Sequence, residues 1–304
     1  MEIVKLFNAM PGAVAQGMIW GLMAIGLYIT YRILEVSDLT VDGSIATGGA
    51  VAAMLIINGW NVWAALLAAF VVGMLAGLVT GLFHTFCGIP AILSGILTQL
   101  ALYSVNLRIM GNKANVALSV NKYGLLVTSR NSRVIGLQNP IVILVLFTAA
   151  LILVLYWFFG TELGCSLRAT GANRAMARAQ GINTSTNTVL GLMLSNGIVA
   201  LSSALYSQFQ GFADINMGRG AIVIGLAAVI ISDVIFGKLF RNFALKLFAV
   251  ALGAVLYYLV IQVVLWLGLN TNLLKLLSAL IVALFLAIPY WKGKIRMKGG
   301  RKHA

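Results

Sequence analysis

Three of the seven acidic residues fall within eight positions, as Glu35, Asp38 and Asp42 in the segment RILEVSDLTVDGS. Carboxylates beside a long apolar run are costly to bury, so they must face water, a partner or a polar cavity. Two roles suit them. Ser37 and Asp38 can cap a following helix by accepting its free N–H groups, and Asp42-Gly43-Ser44 can do the same for the next. Alternatively the acids touch a solute or ion directly, and the roles are compatible because a helix N-terminus aimed into a cavity is itself an anion site. Thr40, Ser44 and Thr47 continue the polar line. A second acidic point is Asp214, near Arg219 in GFADINMGRG, where a surface ion pair in a turn is the plainer reading. Asp233 is the acid set deepest in an apolar run, and Gln99, Tyr103 and Asn106 share LTQLALYSVNLRIMG, where hydrogen bonds between helices are the ordinary role.

The segment TELGCSLRATGANRAMARAQGIN, 161–183, carries helix signals of its own: Asn173 as a cap, Arg174 and Arg178 one turn apart, and Gly181 as a stop. Ala175, Ala177 and Ala179 would let such a helix lie close against another surface. A solvated connector with membrane-orienting arginines explains the same residues, although loops of this length with internal structure tend to be functional. Chemistry of other kinds finds no support. There is no GxxxxGK[ST] loop, no nucleophile elbow and no HExxH. Cys87 and Cys165 stand alone, and His84 and His303 lack partner ligands, so no metal site and no catalytic residue is expected.

The elements that must hold these residues follow from composition. Apolar residues make up 61% of 304 positions and charged residues 9%, with a mean hydropathy of +0.99. Lipid solvates such a surface and water does not. Runs long enough to cross a bilayer, about 20 residues each, fall at roughly 13–31, 44–57, 62–83, 91–109, 140–159, 185–209, 220–236, 243–267 and 272–290. The expected fold is all-α, a polytopic membrane helical bundle of about nine spans forming one domain. The second and seventh runs are short and follow polar, glycine-containing stretches, which predicts interrupted or re-entrant helices lining a cavity.

The net charge of +14 is distributed between apolar runs and over a basic tail at 291–304, the pattern of orienting charge facing anionic lipid rather than of a nucleic-acid surface. With the C-terminus inside and spans alternating backwards, 13 of the 21 basic residues lie inside, among them Arg32, Arg168, Arg174 and Arg178. Five basic residues of the 108–139 loop dissent. The N-terminus then lies outside, and it lacks a cleavable-signal pattern. An offset of 176 residues lays DLTVDGSIATGGAVAAML on DINMGRGAIVIGLAAVII, so that Asp38 meets Asp214 and Gly49 meets Gly225. The same offset carries spans one to four onto six to nine. That predicts inverted repeats, about 13–109 and 185–290, around a connector at 140–184, with the path near their interface.

Three stretches, DLTVDGS at 38–44, GIPAILSGILTQLALYSVNLRIMG at 88–111 and LRATGANRAMARAQGIN at 167–183, occur in an apolar frame covering nearly the whole chain. Together they resemble the permeases of the branched-chain amino acid/ribose class of ABC importers, closest to an amino-acid-like subgroup. The first resembles the DLSVGS-type segment of sugar permeases, with Asp42 inserted. The resemblance implies a bacterial inner-membrane subunit with no cofactor of its own. It works with a second permease copy, cytoplasmic ATP-binding subunits that hold ATP-Mg, and an external substrate-binding protein. It also implies that Gly171 to Gly181 form a coupling helix, with Asn173 as cap and Arg174 and Arg178 as polar contacts. The solute path would involve Asp38, Thr40, Asp42, Ser44, Thr47, Asn106 and Asp214, and the cargo would be an amino acid, an aromatic one among the options, with a sugar or nucleoside as the alternative. A competing expectation is an ion-coupled secondary transporter using Asp38, Asp42, Asp214 or Asp233.

Overall fold

The computed structural model describes residues 2–120, 122–133, 136, 138–237, 239–240 and 242–267, with isolated positions between 276 and 287. Helix α1 (Glu2–Tyr28) runs on through a π-helical turn, Ile29–Ile33. It is followed by α2 (Val41–Ile57), α3 (Val62–Thr85), α4 (Ala91–Ile109), β1 (Asn115–Ala117), a 3-10 turn (Ser129–Arg133), α5 (Pro140–Gly160), α6 (Glu162–Ala172), α7 (Arg174–Ala179), α8 (Thr184–Gln210), β2 (Phe212–Asp214), α9 (Ala221–Phe236) and α10 (Phe243–Trp266). Among the described residues six helices are long and apolar enough to cross a membrane, and α2 and α9 are shorter apolar helices. The expected ninth run, 272–290, and the basic tail lie outside the described residues apart from scattered helical positions.

Helix starts follow local chemistry. Asn61, Asn139 and Asn183 each turn a side-chain oxygen onto the first free N–H groups of α3, α5 and α8, and Pro140 opens α5, where its missing N–H costs nothing. Burial then ranks the helices. α1 and α8 are enclosed over most of their length, whereas α4 and α5 leave most of theirs facing outward. That places α1 and α8 at the centre and α4 and α5 at the periphery.

In lipid there is little hydrophobic force between helices, so close backbone approach must hold them. α3 supplies Ala69, Gly73, Gly77 and Gly81 at four-residue spacing, and α8 runs antiparallel along that stripe. A β-carbon built on Gly77 would lie 2.3 Å from the Leu192 carbonyl oxygen. α1 meets α10 in the same way, Gly17 against Val255 and Gly21 against Ala251. Ser195 and Ser202 of α8 donate to the Gly26 and Ile19 carbonyls of α1, at 2.8 and 2.6 Å. Gly77→Leu is expected to lose the folded protein. Overpacking costs about 1–3 kcal/mol where a core can adjust, and backbone cannot. A monodisperse peak of wild-type yield after detergent extraction would contradict this.

The bundle has two ends. At one, Leu34, Leu155, Phe159 and Leu247 pack with Leu167 of α6. At the other, β1 pairs antiparallel with β2, in the register Asn115 to Asp214, over Met110 and Leu118. α2 starts between the ends and runs to the β end, where Ala50, Ala53 and Ile56 pack with Ala213. α9 starts beside α2 and runs the opposite way, to where Asp233 meets Arg32 at 3.7 Å. The short runs are thus unbroken helices, and the interruptions precede them, at 34–40 and 211–220. The small sheet has no counterpart in the sequence reading, since three residues are too few to show alternation.

Candidate functional site

Asp38 closes the extended segment that leads into α2 and is 2% exposed. Its Oδ1 accepts the Thr40 N–H at 2.8 Å and its Oδ2 accepts Asn196 Nδ2 at 2.7 Å, from the middle of α8. Asn196 Oδ1 in turn accepts Ser44 Oγ at 2.6 Å, and Thr40 Oγ1 lies 2.7 Å from Thr80 Oγ1 of α3. Thr47 bonds back to the Gly43 carbonyl. Ser203 of α8 donates to the Ile45 carbonyl. Asp38, Thr40, Ser44 and Thr47 are therefore turned into the packing of α2 on α3 and α8. Thr40, not Asp38, is the N-cap of α2, and its side chain makes no capping bond.

Asp42 behaves differently. It stands in the first turn of α2, yet its carboxylate caps α9: Oδ2 accepts the Gly220 N–H and Oδ1 the Ile222 N–H, both at 3.0 Å. The expectation that Asp42 caps its own helix is corrected here. α9 has Gly220 at its N-cap, a residue with no side chain to offer, so the free N–H groups take their acceptor from across the fold. Gly218 allows the approach, because a β-carbon there would sit 1.9 Å from the Asp42 carbonyl oxygen.

Beside this junction α2, α4 and the loop before α9 border a half-open cavity of about 290 Å³, lined by Asp42, Gln99, Tyr103, Asn106, Asn216 and Arg219 among others. Asn106 is 1% exposed, and neither its oxygen nor its nitrogen has a hydrogen-bond partner. The reading of Asn106 as a bridge between helices is thus replaced by an orphaned amide at a cavity wall. Gln99 and Tyr103 are on the same face of α4. A larger recess of about 960 Å³ lies among α1, α8, α9 and α10, walled by Trp20, Tyr206, Tyr257 and Tyr258, and it shares Arg219 with the smaller cavity.

Asp214 belongs to β2 and does not line this cavity. It accepts the Asn216 N–H at 2.7 Å and Asn115 Nδ2 at 3.3 Å, so the expected Asp214–Arg219 pair is not formed. Asp233, half exposed, faces Arg32 at the opposite end. His84 turns Nδ1 to the Ile89 carbonyl at 2.9 Å. No group of three or more His, Cys, Asp or Glu side chains that would hold a metal occurs among the described residues.

The 161–183 segment folds as two helices. Asn173 caps α7 through the Met176 N–H at 3.0 Å, and Gly181 ends the turn with φ of +79°. Arg174, Ala175, Met176 and Ala179 are exposed, whereas Ala177 is buried. Arg178 Nε donates to Thr184 Oγ1 at 2.9 Å, tying α7 to the start of α8. α6, absent from the sequence reading, anchors the loop. Thr170 and Ser166 bond Asn187 of α8, at 3.0 and 3.3 Å, and a β-carbon on Gly171 would lie 1.7 Å from the Ile33 carbonyl oxygen. Asn196, Thr80 and Asn187 were the residues that sequence reasoning missed. Their signal, a polar residue inside an apolar run, is weak because ordinary helix packing uses the same residues.

The family described as branched-chain amino acid transport system / permease component matches residues 10–289. A protein described as a tyrosine transport system permease, from Clostridioides difficile (strain R20291), is 39% identical over 90% of this chain and 88% of its own length. The autoinducer 2 import system permease LsrC of Yersinia pestis (strain Pestoides F) is 29% identical over 70% of this chain and 58% of its own. A solved structure, PsaBC from Streptococcus pneumoniae in complex with Fab, has the same fold, with a TM-score of 0.54 over 94% of each chain at 16% identity.

Proposed function

The chain belongs to the branched-chain amino acid transport system permease family, the membrane subunits of ABC importers, and on that footing we propose that its cargo is an amino acid, of the aromatic class. The likeness to the tyrosine permease supports the class. The observation that carries the path is the meeting of α2 and α9 at Asp42, beside a cavity that Gln99, Asn106 and Arg219 also line. Interrupted helices whose N-termini converge between the two faces are how transporters bring backbone N–H groups to a solute. Asp42 and Asn106 line the passage. Asp38, Thr40, Ser44 and Thr47 brace α2 behind it, and Asp214 belongs to the rim.

On this reading the protein is a multi-pass subunit of the bacterial inner membrane, with the α6–α7 end and the C-terminus cytoplasmic. Gly171, Asn173, Arg174, Arg178 and Gly181 form the coupling element against a separate ATP-binding subunit, which holds the ATP-Mg. The permease pairs with a second copy, and an external binding protein delivers the cargo to the β end. Nine spans built as inverted repeats fit this frame. α2 and α9 begin about 180 residues apart, as do α3 and α10. α3 packs on α8 as α10 packs on α1.

Uptake by proteoliposomes holding the complete transporter tests the proposal. ATP-dependent uptake of L-tyrosine or another aromatic L-amino acid, with ribose excluded, is expected. Uptake by the permease alone, indifferent to ATP and collapsed by a protonophore, would assign it to ion-coupled transport instead.

A further inference from the structure

The geometry points to a subsite for the zwitterionic head of an α-amino acid at the Asp42 junction, with Asp42 changing partner as the solute enters. This rests on the amino-acid reading above and adds the residues that would enforce it. Four observations converge. The α9 N-terminus offers the Gly220 and Ile222 N–H groups to a carboxylate, and at present that carboxylate is Asp42. The cavity wall carries one group of each sign, Asp42 and the exposed Arg219, and Arg219 has no ion pair among the described residues. Asn106 lines the same cavity, with its donor and acceptor both buried and unused. A volume of about 290 Å³ is at the lower end of what small-molecule sites use, roughly 300 Å³ upward.

A zwitterion answers each of these. Its carboxylate is chemically the same group as the one now seated on α9, so it replaces Asp42 there, with Arg219 as the countercharge. Its ammonium then pairs with the released Asp42 side chain. Asn106 spans both ends of the ligand, with Nδ2 donating to the carboxylate and Oδ1 accepting from the ammonium. A buried amide without partners costs about 1–3 kcal/mol, and the ligand removes that cost. Asp42 thus closes the empty site by occupying the solute's place. A molecule bearing only one of the two charges leaves either Asp42 or the α9 N-terminus unsatisfied, which makes the site selective by what it would strand.

The test is thermal denaturation of the permease in detergent with L-tyrosine, tyramine, which lacks the carboxylate, and 3-(4-hydroxyphenyl)propionate, which lacks the ammonium. L-Tyrosine alone is expected to raise the midpoint, and Arg219→Gln and Asn106→Leu are expected to abolish that rise. Asn106→Leu without ligand should melt no lower than wild type, since it deletes an orphaned amide. Arg219 is exposed, so its variant separates binding from folding. In proteoliposomes holding the complete transporter, Asp42→Asn and Arg219→Gln should each cut L-tyrosine uptake by about tenfold, the equivalent of 1.4 kcal/mol. Equal stabilisation by a singly charged analogue, or variants that keep wild-type uptake of L-tyrosine, would overturn the subsite while leaving the amino-acid reading intact. Uptake of ribose and of no amino acid would remove both.

Discussion

Reversing charge at Arg174 and Arg178 together is expected to uncouple transport, lowering ATP-driven uptake at least tenfold while the permease still reaches the membrane. α7 projects from the bundle with Arg174 and a Met176 that is 64% exposed, an apolar knob flanked by cations, suited to a groove on another subunit. Placing like charges across such an interface costs several kcal/mol, well beyond the 1.4 kcal/mol that a tenfold loss requires. On the proposed reading, the attachment behind α7 carries a push on it to α1 and α8. Gly171 has no slack against the Ile33 carbonyl, and Asn187 holds Thr170 and Ser166. Because Arg178 also bonds Thr184, Arg174→Glu alone separates the surface contribution from the internal one. Co-elution of the ATP-binding subunit and ATP-driven uptake are the two measurements. Wild-type uptake in the double variant would dismiss α7 as the point of coupling.

The second large effect is expected at Asn196. Asn196→Leu removes the α8 donor to Asp38 and the acceptor of Ser44 in one step. Stranding a buried acid and a hydroxyl costs about 3 kcal/mol, from roughly 1.5–3 for a bond to a charged group together with a neutral bond lost. The melting midpoint in detergent should fall by several degrees. Adding Asp38→Leu should recover part of the loss, because the acid left without a donor is then gone, and the double-mutant cycle measures that coupling. Losses that simply add in the double variant would show that Asp38 and Asn196 do not act as a pair.

The sequence exposed whatever was local. The apolar runs at 62–83, 140–159 and 185–209 match α3, α5 and α8 to within two residues at either end, because the length of a membrane helix is written in consecutive residues. Asn173 and Gly181 were legible as cap and stop for the same reason. What escaped was set by the fold. Asp42 obeys a capping rule, but the helix it caps begins about 180 residues later, and a rule phrased in neighbouring positions cannot reach that far. Asn106 looked like other polar residues in a span, and only the cavity beside it sets it apart. α1 extended past its predicted 13–31 run in both directions, through Pro11 at one end and the π turn at the other.

The three-residue ladder between β1 and β2 has a thermodynamic consequence. Leu118 N–H bonds the Gly211 carbonyl and Ile215 N–H bonds the Ala114 carbonyl, so the strap grips both ends of β2, and the loop after it continues as a wall of the cavity beside Asp42. A partner that seats on the strap and favours one setting of that loop therefore changes affinity inside the cavity. By linkage, an occupied cavity changes the partner's affinity by the same factor. On the proposed reading, delivery of cargo at the rim and its holding at the centre become one equilibrium.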